Sequence, residues 1–342
     1  MMFNSLQIGR AVAALLVVLH HATLGSRKFY GEAFGGFWGF GNIGVDFFFV
    51  LSGFIIYWAH KNDVGGRAQA TLYSKKRFFR LYPAFIPISI AMLALYMILP
   101  NLSQGGREIS LASSLFLIPT MYGSPALSVS WTLMHEFLFY VVFSLFFISR
   151  KAFWIVLAVW SGLILVAPLS GVDGFYAKFI LNMHNLQFSV GVLCALYYHQ
   201  KTDKGRSEIK PGFFILGSLV MAMLIATLGD VVGVYAKLLN GLLFGMVILS
   251  LISMEISGVL SSVFRSKILL FLGAASYSIY LIHNPFLSFL NRVGAPLANV
   301  YQVNVELIFI GAVIASILAG AIYYKLWEKP VLALSRKWIK KG

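Results

Sequence analysis

The chain is poor in charge. Only 11% of its 342 residues are Asp, Glu, Lys or Arg, against roughly 25% in an ordinary soluble domain. Hydrophobic residues make up 59%, and the mean hydropathy is +0.82. A soluble core of this size has no room for so much apolar surface, so lipid must act as solvent for much of it. One cysteine, Cys194, excludes an intramolecular disulfide, and its place in an apolar run gives it a packing role. The seven histidines do not combine with cysteine or carboxylates at metal-ligand spacing, and no metal is expected. No Walker or dinucleotide glycine pattern is present. The opening Met-Met-Phe-Asn-Ser lacks a basic stretch, and no small-x-small cleavage site follows the first apolar run. That run is expected to be a retained helix.

Acidic residues are scarce too: 12 against 27 basic ones, for a net charge of +15. Such an excess can mark a nucleic-acid partner. Here the basic residues sit in short clusters between apolar runs, without a stripe of interleaved aromatics, so no nucleic-acid partner is expected. Clusters of this kind follow the positive-inside rule.

A span needs about 20 mostly apolar residues. Runs of that kind fall at 8–24, 43–59, 81–99, 129–148, 152–169, 179–198, 212–229, 233–256, 267–289 and 305–327. The stretch from Leu111 to Pro119 is too short to cross. The fold expected is all-α: a polytopic membrane bundle of about ten transmembrane helices, forming a single domain over 1–342. With the N-terminus inside, one side collects Arg10, the basic residues from Lys61 to Arg80, Arg150 and Lys151. It also collects those from Lys201 to Lys210, Arg265, Lys267, and those from Lys325 to Lys341. The other side receives only Arg27, Lys28, Arg107, Lys178, Lys237 and Arg292. That imbalance places both termini in the cytoplasm, as expected of a multi-pass protein of the plasma (inner) membrane.

Ionisable residues inside spans are costly and mark function by default. Arg10 and His21 are eleven residues apart on the first helix. They share a face, roughly 16 Å apart along the axis. His20 is rotated about 100° away, and its expected partner is water or a backbone carbonyl. The second span opens Gly44-Val45-Asp46, where Asp46 either orients a histidine or caps the helix. Deeper in that span, Ser52 and Gly53 read as packing residues. Arg77 and Arg80 precede Leu81-Tyr82-Pro83 and share a helix face. They read either as an anchor at the inner boundary or as a fork for phosphate. Glu136 follows Trp131 in the fourth span and needs a partner or a watery cavity. The ninth span carries Tyr277, Tyr280 and His283 towards the outer side. Spacing and charge thus sort His21, Asp46, Glu136 and His283 to an outer level, and Arg10, Arg77 and Arg80 to the inner edge.

At these residues the chain resembles the acyltransferase-3 family of membrane O-acyltransferases, especially the branch that acetylates exopolysaccharides. The similarity rests on Arg10 and His21 with ten residues between them, Gly44 to Phe54, and Arg77 to Pro83. It continues with Trp131 to Glu136, Ser276 to Pro285, and Glu328-Lys329-Pro330. Thr132 stands where the family has serine, and Phe137 follows Glu136 where a second acidic residue is common. The resemblance implies acyl-CoA as donor co-substrate, with acetyl-CoA as the expected donor. As acceptor it implies a hydroxyl of a glycan or lipid-linked saccharide, reached amid membrane lipid. It also implies His21 as base or acyl carrier with Glu136 or Asp46 holding its tautomer, and Arg10, Arg77 and Arg80 on the coenzyme A phosphates. Trp131, Tyr140, Tyr280 and His283 are the residues expected to meet substrate. The competing reading is a transporter or flippase, since buried charge also marks transport paths. Paired broken helices in repeated halves, the usual pointer to one, are absent from the sequence.

Overall fold

The computed structural model describes residues 3–103, 108–203 and 211–341. Arg107, Lys204, Arg206 and Lys210, which enter the charge comparison above, lie outside the described residues. The helices are α1 (Asn4–Phe29), α2 (Ile43–His60), α3 (Arg67–Ile98), α4 (Leu111–Phe116), α5 (Trp131–Ile148), α6 (Arg150–Val166) and α7 (Phe175–Ile180). They continue as α8 (Met183–Asp203), α9 (Pro211–Val232), α10 (Ala236–Ile256), α11 (Ser261–Phe264), α12 (Lys267–Asn299), α13 (Val305–Tyr323) and α14 (Lys329–Lys341).

Among the described residues, nine helical stretches are long and apolar enough to cross a membrane. Nine of the ten expected runs fall on them. The tenth, 212–229, is α9, whose described apolar stretch Phe214–Met223 is shorter than a span. The protein is an all-α, multi-pass membrane protein. Helix ends extend past the apolar runs. α3 begins at Arg67, well before the expected 81, because Arg67 to Arg80 is rich in residues that favour helix. Leu111–Phe116 is a single short helix capped by Ser110, as its length requires.

The chain divides into two compact units, each built from three separated segments: Met1–Gly9, Val45–Ser74 and His135–Leu270 in one, and Arg10–Gly44, Lys75–Met134 and Phe271–Gly342 in the other.

In the first unit, α10 packs on α8 and α9, and α6 on α8. α2 and α8 cross at glycines. A Cβ on Gly53 would lie 2.1 Å from the Phe188 carbonyl oxygen, and one on Gly191 2.0 Å from that of Val50. Only bare backbone fits on either side, the usual route to close helix contact in lipid. Gly53 is therefore a packing residue, as expected. Beside the crossing, the Phe139 and Phe188 rings stack at 4.5 Å. The start of α1 is capped from a distance: the Glu255 carboxylate accepts from the Asn4 and Ser5 amides at 3.0 and 2.8 Å. An anion at a helix N-terminus satisfies orphan N–H groups and complements the helix dipole.

In the second unit, α3 contains Pro83 and Pro87. Pro87 has no N–H for the Pro83 carbonyl. The Trp327 indole supplies one instead, donating to that oxygen at 2.7 Å, while the Tyr323 hydroxyl donates to the Ala84 carbonyl at 2.9 Å. Trp327 lies in a π-helical turn, Tyr324–Glu328, between α13 and α14. α13 meets α12 at Gly320, where a Cβ would sit 2.5 Å from the Ile279 Cα.

Candidate functional site

His21 and His283 come together in the second unit. His21 is half-buried on α1, and its Nδ1 lies 3.0 Å from the Val17 carbonyl oxygen, one turn back. The same Nδ1 lies 3.3 Å from His283 Nε2, and the two rings meet edge to face with centroids 4.9 Å apart. His283 is fully buried, with its Nδ1 2.6 Å from the Tyr280 carbonyl and 3.2 Å from that of Ile279. The close approach of Gly320 to Ile279 packs α13 against the α12 turn that supplies these carbonyls. His20 behaves as expected of a residue on another face: its Nδ1 bonds the Gly39 carbonyl at 2.7 Å.

Tyr280 and Thr132 share a hydrogen bond with their hydroxyl oxygens 2.7 Å apart, and the one that does not donate there is free to donate to the Val129 carbonyl, which lies 3.1 and 3.0 Å from the two oxygens. The threonine that replaces the family's serine thus serves this contact. Next to it, Asn284 donates to the Ser128 hydroxyl at 2.6 Å. Trp131, at the start of α5, is 40% exposed.

Arg77 and Arg80 are on one helix, α3, as their spacing requires. Arg80 Nη1 donates to Glu328 Oε1 at 2.6 Å, and Ser278 donates to Glu328 Oε2 at 2.5 Å. Glu328 is 1% exposed while the Arg80 side chain keeps 28% exposure. The Arg80 guanidinium also lies over the Tyr277 ring, 5.0 Å from its centroid. A carboxylate buried at this depth needs both a counter-ion and a second donor, and it has them. Arg77 and Arg10 are half-buried in the same unit.

The acidic candidates, Glu136 and Asp46, belong to the first unit. Glu136 Oε1 accepts from the Tyr140 hydroxyl at 2.5 Å and the Ser52 hydroxyl at 3.1 Å. Ser52, read from sequence as packing, is therefore a hydrogen-bond donor to the acidic group. Asp46 is fully buried and ringed by donors. Gln187 Nε2 stands at 2.9 Å, Asn240 Nδ2 at 2.8 Å and Lys237 Nζ at 3.1 Å, while His184 Nε2, at 3.6 Å, lies beyond hydrogen-bond reach. These groups come from the first two turns of α8 and α10, so the carboxylate lies towards the positive dipole ends of both helices. Asp46 does not cap its own helix; it ties α2 to α8 and α10.

Sequence reading missed Gln187, Asn240, His184 and Ser278. Amides inside apolar runs were the available signal for Gln187 and Asn240, but nothing local names the carboxylate they serve. Lys237 entered only as an outer-side charge.

A multi-pass helical protein with a paired histidine, a buried Arg–Glu contact and a hydrogen-bonded glutamate fits a membrane group-transfer enzyme. The chain matches an acyltransferase domain over residues 3–325 and belongs to the acyltransferase-3 family; it is a membrane O-acyltransferase. It is 29% identical over 313 residues to the exopolysaccharide production protein ExoZ of Rhizobium meliloti (strain 1021), covering 86% of this chain and 91% of that one. It is 22% identical over 328 residues to the acyltransferase MdmB of Streptomyces mycarofaciens, covering 86% and 81%. Protein 2 in the picA locus of Rhizobium radiobacter is 30% identical over 156 residues, 40% of this chain and 77% of that one. No solved structure matches the chain.

Proposed function

We propose that this enzyme moves an acetyl group from cytoplasmic acetyl-CoA to a hydroxyl of an exopolysaccharide or other cell-surface glycan, at the plasma membrane. The observation that carries the reading is the position of His21: a half-buried imidazole whose Nδ1 faces a backbone carbonyl, on a chain that belongs to an acyltransferase family. A relative named for exopolysaccharide production supports the glycan acceptor.

In the direct route, an imidazole nitrogen of His21 takes the acceptor hydroxyl proton. The oxygen attacks the thioester carbonyl, the C–S bond breaks, and the coenzyme A thiolate leaves and takes up a proton. In the two-step route the same nitrogen attacks the thioester carbonyl, the C–S bond breaks and the coenzyme A thiolate leaves and takes up a proton; the acceptor hydroxyl then gives up its proton and its oxygen displaces the imidazole from the acyl-histidine. Arg10, Arg77 and Arg80 take the donor phosphates, with Arg80 held in a fixed orientation by Glu328. Glu136 and Asp46 are proposed as acidic residues that serve the reaction, with Glu136 offering a carboxylate already oriented by Tyr140 and Ser52. Trp131 and Tyr280 are proposed to meet the substrate, and Tyr140 is proposed to act through its contact with Glu136, while His283 stands beside His21.

Purified protein is incubated with labelled acetyl-CoA and candidate glycans, and the glycan is isolated. Covalent label in the glycan is the expected result. Movement of unmodified glycan across a vesicle membrane without label would instead favour a transporter.

A further inference from the structure

His21 has two neighbours at one nitrogen, and neither is a carboxylate. Nδ1 faces the Val17 carbonyl at 3.0 Å and His283 Nε2 at 3.3 Å. A neutral imidazole has one N–H and one lone pair, so its partners determine which nitrogen carries the proton. For His283 the answer is forced. Its Nδ1 lies 2.6 Å from the Tyr280 carbonyl, and a lone pair there would face an oxygen lone pair. The His283 proton therefore sits on Nδ1, and Nε2 presents a lone pair to His21. His21 Nδ1 then faces two acceptors, the Val17 oxygen and His283 Nε2, and must carry the proton itself. Its lone pair is on Nε2.

We propose that His283 is a positioning residue for His21. It fixes the tautomer that leaves Nε2 as the basic and nucleophilic atom, and it accepts from Nδ1–H more strongly as positive charge develops on the ring. This proposal rests on the acyltransfer reading of His21. It assigns to a second histidine and a backbone carbonyl the part a carboxylate plays in hydrolase triads. It also gives His283 work other than touching substrate. The burial of His283 follows: a tautomer-setting contact is reliable only where water cannot exchange with it.

The alternative arrangements leave a nitrogen mismatched. With the His283 proton on Nε2, its Nδ1 lone pair would face Tyr280 at 2.6 Å. With His283 doubly protonated, the His21 Nδ1 lone pair would face the Val17 carbonyl. Among the neutral arrangements, only Nδ1–H on both rings leaves no imidazole lone pair facing a carbonyl oxygen.

The test uses full-length protein in lipid nanodiscs: wild type, His21→Ala, His283→Gln and His283→Leu, each normalised to folded protein. Glutamine can offer an amide oxygen near the place of Nε2; leucine cannot. Loss of the partner that orients a metal-bound histidine costs about ten- to a hundredfold, and an effect of similar size is expected for this contact. The expected result for His283→Leu is a kcat fall of that size, with KM for acetyl-CoA and for acceptor within about twofold of wild type, and partial recovery in His283→Gln. Nitrogen-15 NMR of labelled histidine, assigned by difference from His21→Ala, should show His21 protonated at Nδ1 in wild type and a mixture of tautomers in His283→Leu. A raised acceptor KM with unchanged kcat would make His283 a substrate contact and overturn the proposal. So would a wild-type His21 protonated at Nε2, a result available even if the leucine variant fails to fold. Absence of glycan labelling by wild type would sink the acyltransfer reading instead, while the NMR result would still decide the tautomer.

Discussion

Arg80 and Glu328 form an ion pair that joins α3 to the π-helical turn before α14, with Nη1 and Oε1 2.6 Å apart and the carboxylate 1% exposed. The arginine's charge is matched within the protein. In the proposed donor site Arg80 therefore contributes directed N–H groups more than free positive charge, and its fork geometry matters most.

Removing one partner of a buried pair leaves the other stranded, at a cost on the order of 3 kcal/mol. Arg80→Ala is expected to lower the thermal unfolding temperature in detergent markedly, since Glu328 keeps only Ser278 of the two bonds described. Arg80→Lys keeps the charge but loses the planar fork. It should fold and bind acetyl-CoA about tenfold more weakly, as read by donor titration. Unchanged donor affinity in Arg80→Lys would leave Arg80 a purely structural residue.

Asp46 makes the second prediction. Asp46→Asn removes the charge that holds Lys237 and turns one acceptor oxygen into a donor facing either Gln187 or Asn240. A loss of about 2–3 kcal/mol is expected from the misdirected donors and the unpaired lysine. Lys237→Met, added to Asp46→Asn, should recover part of it, with a coupling of about 1 kcal/mol or more in a double-mutant cycle. Additive effects would mean that the 3.1 Å contact contributes nothing.

The glycine crossing supplies the third. A methyl on Gly53 would stand 2.1 Å from the Phe188 carbonyl oxygen. The neighbour is backbone and cannot swing aside, so Gly53→Ala should separate α2 from α8 and sharply reduce folded protein. Gly162, with nothing within 4 Å of its added Cβ, is the control, and Gly162→Ala should be silent. Size-exclusion recovery of the two variants measures the contrast.

These contacts also mark what the sequence could and could not reveal. Apolar run length located the spans, because the hydrocarbon thickness fixes the length of any helix that crosses it. Arg77 and Arg80 were legible as one helical face, since a local helix decides that. Glu328 was visible as part of a terminal Glu-Lys-Pro, but its partner lies 248 residues earlier. Asp46 stood out as a costly charge, yet its donors at Gln187, Lys237 and Asn240 are 141, 191 and 194 residues away. A costly group announces that it needs a partner. The partner's identity depends on which helices become neighbours, and that is a property of packing. Ser52 failed for a related reason: a small residue in an apolar helix reads as packing until its hydroxyl is seen 3.1 Å from Glu136.

Tyr140 and Ser52 both donate to Glu136 Oε1, and hydrogen bonds to a charged group contribute about 1.5–3 kcal/mol each. If that orientation serves the reaction, Tyr140→Phe should lower kcat by about tenfold or more, and Ser52→Ala should do so to a smaller extent, its bond being longer. The double variant should fall below either single one. Full activity in Tyr140→Phe, with normal folding, would remove Glu136's hydrogen bonds from the account.

The central claim is that His21 carries the chemistry of acyl transfer. Its most direct measurement is the rate at which radiolabelled acetyl passes from acetyl-CoA to glycan in wild type, His21→Ala and His20→Ala, each normalised to folded protein. The expected result is labelled glycan from wild type, none above background from His21→Ala, and substantial transfer from His20→Ala, whose ring is held by the Gly39 carbonyl on a different face. Transfer by His21→Ala at a rate near wild type would contradict the account.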